Sequence, residues 1–454
     1  MTKRFLWKQN FEWQHWKPFM KPSLPFFSKG FQSACLLVLC FLAAPFSSED
    51  TSFYKNIFWK VSIPYFCYYT LGFFGNITCG IVSSLYGRNK TYMIALSAVL
   101  LGSLLLLGEL PFTLKLLPLH AVAFSFIGMG NVAAGCCITP TVLENVQDGP
   151  KDEQLFHFIL TTRVSEYIGL GLAITFGGFL YLFLGETYRN WIIFLLQCLA
   201  CGLCVFTIYS VSETRESNLF TTSMTSQKLD FFSLMKYLWS SFQQNRSFIL
   251  LLCSTLLFLT CNSVSLWFML LAENWSWMIS SGRLVFYAIW IVFAISRAFM
   301  CYFIPELMNN KLGYHRLFLY SCGIIAAVEC LEFFHFGESF LLPLSYTLLA
   351  PIVCILVELF LAHIVPSRIR STWIGIVRSM ENIGAFTVMI PILVLLRPNK
   401  NLVFHVDSVR NMRSVFSVLW LLLVGFWFIF SIPMSPNTSL RSVDEQYSSS
   451  LKTD

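Results

Sequence analysis

Gly80-Ile-Val-Ser-Ser-Leu-Tyr-Gly87-Arg88-Asn89-Lys90 lies between two long apolar runs, 61–84 and 91–109. Each part of it has a physical use. Gly80 has no side chain to hold a neighbouring helix away. Gly87 tolerates the backbone of a tight turn. Arg88 and Lys90 place positive charge just beyond the ends of two apolar helices, as the cytoplasmic turn between two membrane crossings does. The stretch reads as a membrane hairpin, and the rest of the chain repeats the pattern around it.

The chain has 454 residues, of which 56% are hydrophobic and only 12% charged. A soluble domain carries roughly 25% charged residues. That deficit excludes a soluble domain or an array of them, and equally a disordered, collagenous or coiled-coil chain. About 20 apolar residues cross a bilayer as a helix. Segments of this kind occur at 31–47, 61–84, 91–109, 117–139, 164–184, 190–210, 247–272, 283–304, 316–335, 340–363, 373–396 and 413–433. The first is short, and Phe26 and Phe27 extend it. The predicted fold class is an all-α polytopic membrane protein, with about twelve transmembrane helices in two six-helix bundles.

Residues 1–30 hold Lys3, Arg4, Lys8, Lys17, Lys21 and Lys29 against a single acid, Glu12. This puts the N-terminus in the cytoplasm. An even number of spans then places both termini there, and roughly two-thirds of the 31 Lys and Arg residues fall on that side. The 397–413 loop runs against the bias. The expected organisation is a cytoplasmic arm 1–30, a six-helix half 31–210, a cytoplasmic linker 211–246, a second six-helix half 247–433 and a cytoplasmic tail 434–454. Trp7, Trp13 and Trp16 give the arm an interfacial character. The linker contains an amphipathic run from Lys228 to Trp239, suited to the inner leaflet surface. Asn274-Trp-Ser276 falls in an outer loop and is a glycosylation acceptor if the host modifies it.

The Gly80–Lys90 stretch resembles the loop signature of the major facilitator superfamily, G-x-x-x-D-x-x-G-R-[RK]-x, at the place where that superfamily carries it. The aspartate of the signature is Ser84 here, which removes an ionic latch. Ser212-Glu213-Thr214-Arg215 looks like the ending of the superfamily's first half. Within it, the chain is most similar to the molybdate-anion transporter family. The spacing from Ala43-Ala44-Pro45 to Gly87-Arg88 is similar. Val365-Pro366-Ser-Arg368-Ile-Arg370-Ser371-Thr372, followed by Arg378 and Asn382, resembles that family's approach to its eleventh span, as does Arg410-Asn411-Met412 before the last. Gly375 and Met380 depart from the pattern. So do Ser125 and Pro140, where the family has an arginine and a glutamate. The resemblance implies alternating access by two six-helix halves. It also implies a solute such as an oxyanion, and a gating loop formed by Gly80, Ser84, Gly87, Arg88 and Lys90.

Ionisable groups inside a bilayer span are costly and mark function. Here they are Arg297, Glu358 and Arg378, with Glu166 and Glu381 nearer the cytoplasmic ends of their spans and Glu329 and Glu332 nearer the outer end of the ninth. Glu358 lies five residues before the inner end of its apolar segment and Arg378 five after the start of the next. Both are thus about 8 Å deep at 1.5 Å per residue, in reach of one another. Arg297 is only slightly deeper. The expected site is an inner-half gate in which Arg378 and Arg297 meet an anionic group and Glu358 is a proton carrier or counter-ion. A pair that merely holds helices in register is the alternative. Asn131, Gln197, Asn262 and Asn382 supply amides for a ligand or for neighbouring helices.

The 15 cysteines lie mostly in apolar runs and read as small hydrophobes. No zinc-ligand spacing, Walker loop, G-x-S-x-G or H-E-x-x-H is present, so no enzyme, ATPase or cofactor is expected. The expected function is secondary transport of a small polar or anionic solute, an oxyanion such as molybdate among them. Protons or another ion would be the coupling partner and the lipid bilayer the setting, with no nucleic acid. Two alternatives are a non-transporting receptor or scaffold of the same fold, with Phe and Leu closing its centre, and a lipid-modifying enzyme.

Overall fold

The computed structural model describes residues 13–43, 63–109, 117–141, 151–185, 188–213, 283–307, 313–333, 341–364, 370–380 and 406–429. It also describes Phe232, Met235, Lys236, Trp239, Cys253, Thr255 and Asn382. The described residues form α1 Trp13–Ala43, α2 Ile63–Tyr86, α3 Arg88–Glu109, α4 Leu117–Asn131 and α5 Lys151–Leu184. They continue with α6 Arg189–Glu213, α7 Arg283–Leu307, α8 Gly313–Phe333, α9 Leu341–Ile364, a helical stretch 370–380 and α10 Val406–Ile429. Six of the described helices are long and apolar enough to cross a bilayer. Ile94, Phe183, Val292, Leu422 and Ile429 are exposed on the outside of the bundle. Such an apolar exterior belongs against lipid, and the protein is a multi-pass integral membrane protein.

One set of helices packs α1 on α5 and α6, α2 on α4, and α3 on α4 and α6. The other packs α8 on α9 and α10, and α7 on α9. The two sets meet where α5 lies against α7 and α9, and where α2 lies against 370–382. The α1–α5 crossing shows why small residues recur. A Cβ at Gly30 would run into the Glu166 carbonyl oxygen, and one at Gly169 into that of Phe27. Gly87 has φ +102°, the left-handed turn expected between α2 and α3.

Three boundaries differ from those read off hydropathy. α1 begins at Trp13, so half of the 1–30 arm is helix, with Ser23, Phe26 and Ser28 buried in the bundle. Prolines and lysines lower its apolar average, but the Lys29 charge is met by Glu166 at 2.8 Å. α5 begins at Lys151, well before the apolar segment at 164. α4 runs into a single turn of π-helix, Ala134–Ile138, within the 117–139 segment. Most of the 247–272 and 373–396 segments, including Asn262, lies outside the described residues, as does most of the linker.

Candidate functional site

Five charges from four helices form one buried chain. Lys29 on α1 pairs with Glu166 on α5 at 2.8 Å. Arg163, one turn earlier on α5, reaches Glu166 through Nη1 at 3.1 Å and Glu358 on α9 through Nη2 at 2.5 Å. Arg378, in the 370–380 stretch, donates from Nη2 to the same Glu358 oxygen, Oε1. The side chains of Arg163, Glu358 and Arg378 are each 10% exposed or less. Among the described residues, three cations and two acids leave the cluster with one surplus positive charge. The chain crosses between the two sets of helices only through Arg163 and Glu358.

The Arg378 guanidinium lies on the π-turn of α4. A Cβ at Gly135 would come within 2.6 Å of Arg378 Nε. π-turns inside α-helices cluster at functional sites, and this one makes the socket for a cation from the other half. One turn before it lies Asn131, buried, whose Nδ2 has no partner among the described residues. Asn382, one turn beyond Arg378, is buried against Gly72 of α2.

Beside the cluster is a cavity of about 20 Å³, room for roughly one water molecule. Arg163, Glu358 and Arg378 form its charged end, and aliphatic side chains of α9 and 370–380, with Thr255 and Cys354, form the rest.

At the Arg88 end, Gly80, Ser84 and Arg88 lie along the seam between α2 and 370–380. Arg88 Nε donates to Ser371 Oγ at 2.9 Å. Ser84 Oγ and Thr372 Oγ1 share a hydrogen bond of 2.9 Å. Serine at position 84, where the signature has aspartate, thus makes a neutral hydrogen bond across the seam. Next along, Gly80 faces the Ser371–Thr372 backbone and Gly375 faces the Asn76 carbonyl oxygen. Lys90 is exposed and outside this seam.

Arg297 is not with Arg378. Its guanidinium lies over the Phe293 ring at 4.0 Å and within 5.7 Å of the Tyr167 ring. Nη2 is 3.5 Å from the Tyr346 carbonyl oxygen, and Nε is buried with no partner among the described residues. Arg297 thus lies among Phe293, Tyr167 and Tyr346 rather than at the Glu358 oxygen that Arg378 reaches. Arg163, which hydropathy assigns to a cytoplasmic segment, takes the place expected for Arg297. The signal that finds it is the pair Arg163-x-x-Glu166, which puts opposite charges on one helix face at the edge of an apolar run.

The fold is that of the major facilitator superfamily. The E. coli proton:xylose symporter XylE, bound to 6-bromo-6-deoxy-D-glucose, is 13% identical over 94% of this chain and 98% of its own, with a TM-score of 0.64. The E. coli fucose:proton symporter FucP is 12% identical over 91% and 98%, with a TM-score of 0.63. The human organic anion transporter MFSD10 is 13% identical over 91% and 100%, with a TM-score of 0.61. No protein-family model and no curated protein matches the sequence.

Proposed function

We propose that this protein is a secondary transporter that moves a small anionic solute by alternating access. Both termini are cytoplasmic in this reading, so the Arg88 end faces the cytoplasm. The state described here has its cytoplasmic side shut along α2 and 370–380. The carrying observation is the meeting of Arg163, Glu358 and Arg378, from both halves, around one carboxylate oxygen beside a cavity. Charges buried in a membrane protein mark a solute or ion pathway, and a surplus cation there selects an anion. Asn131 supplies an amide one turn away. Arg297, between two rings and with no acid partner among the described residues, is a second station for the solute. Glu358, which links the halves through Arg163, is also the group whose protonation would loosen that link, which gives coupling to protons a place.

A receptor of this fold, closed by Phe and Leu, is disfavoured because three ionisable side chains line the cavity. The test is uptake into proteoliposomes of labelled molybdate, sulfate, phosphate, a short-chain carboxylate, and neutral and cationic solutes, with and without a proton gradient. Saturable uptake of an anion that is lost in Arg378→Ala is the expected result. Uptake of only a neutral or cationic solute, undiminished in Arg378→Ala, would overturn the site. No uptake of any solute by folded protein would overturn the transport reading for this panel.

A further inference from the structure

We infer that Glu358 is a tethered stand-in for the solute, holding a seat between Arg163 and Arg378 that takes a small aliphatic monocarboxylate. The inference rests on the transport reading and narrows it to a substrate class.

The seat is defined by what fills it. A single carboxylate oxygen, Glu358 Oε1, accepts from a guanidinium of each half. Arg378 belongs with Glu358 in the second half, so that pair survives any parting of the halves. Arg163 does not. When α5 moves away from α9, Arg163 keeps Glu166 but loses the oxygen on its other arm. A cation stripped of a ligand at low dielectric takes the nearest anion. In the closed state that anion is Glu358. In the opened state a solute carboxylate replaces it on the same nitrogen.

Charge fixes the valence. With Lys29, Arg163 and Arg378 against Glu166 and Glu358, the cluster carries one surplus positive charge among the described residues. A monoanion brings it to neutrality. A dianion such as sulfate or molybdate overshoots to a buried net negative charge, which is unfavourable without a further cation. Shape gives the tail. Away from the arginines, the cavity is walled mostly by Val353, Val357, Leu361, Ile374 and Val377, with Thr255 and Cys354 beside them. The five aliphatic side chains offer no hydrogen bond and accept an alkyl group. An anionic head and an aliphatic wall side by side describe a short-chain carboxylate.

The experiment measures binding, so that it stands apart from transport. Purified full-length protein is titrated with propionate, and separately with sulfate, with thermal stabilisation as the readout. If Glu358 occupies the seat nine-tenths of the time in the wild type, removing it tightens apparent affinity about tenfold. The expected result is such a gain for propionate in Glu358→Gln, cancelled in Glu358→Gln/Arg163→Gln. Glu166→Gln adds the same charge to the cluster but leaves the stand-in in place, and is expected to change affinity less than threefold. Equal tightening in Glu358→Gln and Glu166→Gln would mean a general field effect and overturn the inference. Sulfate gaining more than propionate would overturn the monocarboxylate class. If Glu358→Gln does not fold, Glu358→Asp decides, because its carboxylate is drawn back by one methylene. It is expected to tighten propionate binding by a smaller factor, and an unchanged or weakened affinity would overturn the inference. Uptake of some solute by the wild type, with no propionate gain in Glu358→Gln, would remove the seat and leave the transport reading standing. The gain without any uptake would do the reverse.

Discussion

Replacing Arg163 by methionine tests how the halves are held together. The substitution is cleaner than it looks. Without Arg163, Glu166 keeps Lys29 and Glu358 keeps Arg378, so no acid is orphaned and the cluster becomes neutral. The cost of about 3–5 kcal/mol that attends breaking a buried pair by removing one partner is therefore avoided. What is lost is the ion pair of this cluster that crosses between halves, Arg163 to Glu358. A hydrogen bond to a charged group contributes about 1.5–3 kcal/mol. At about 1.4 kcal/mol per factor of ten, the open population should rise roughly 10- to 150-fold. Cys354 reports it without a label being engineered, because it lines the cavity. Cys354 is partly buried in the closed state, and the cavity beside it admits about one water, which holds back an alkylating reagent. The rate of Cys354 modification by iodoacetamide, read by peptide mass spectrometry, should rise, at most by that factor. Cys301, fully buried, serves as the internal reference. A Cys354 rate within threefold of wild type, in folded protein, would refute the idea that this ion pair holds the halves shut.

Gly375→Leu should also favour opening, since its Cβ meets the Asn76 carbonyl oxygen at 2.5 Å; faster Cys354 alkylation is the readout. Gly135→Ala should abolish anion uptake while leaving expression near normal, because the added methyl pushes into the Arg378 guanidinium. Ser84→Asp places a carboxylate near Arg88 at the seam and should slow Cys354 alkylation severalfold, corresponding to up to ~1 kcal/mol. Gln197 is fully buried, with neither amide atom partnered among the described residues. Gln197→Leu should therefore raise the thermal midpoint, by an amount corresponding to ~1 kcal/mol or more, and a lowered midpoint would show that the amide is used.

The sequence reveals spacing along a helix well and direction around it poorly. The Gly87 turn and the meeting of Glu358 with Arg378 follow from spacing along the chain, because rise per residue is fixed in a helix. Which way a side chain points around its helix depends on the packing of its neighbours. Arg297 was expected beside Arg378 on depth alone, yet α7 turns it toward its own Phe293 and toward Tyr167 of α5. Arg163 fails in the opposite way. Hydropathy averages it with Lys151, Asp152 and Glu153 and ends the span too soon, while the folded chain buries it by supplying two carboxylates. The Gly135 socket is illegible for a third reason: nothing local distinguishes a glycine that admits a neighbouring helix from one that admits a guanidinium of the other half.

The odd number of charges in the buried cluster has an electrical consequence. A carrier that reorients empty changes the side from which one surplus elementary charge is reached, and so works with or against the membrane potential, about 2.3 kcal/mol per charge for 100 mV across the full field. A carrier neutralised by a bound monoanion reorients without feeling that potential. Exchange of one such solute for another would then be electrically silent, and net flux would carry a current set by the return of the empty protein.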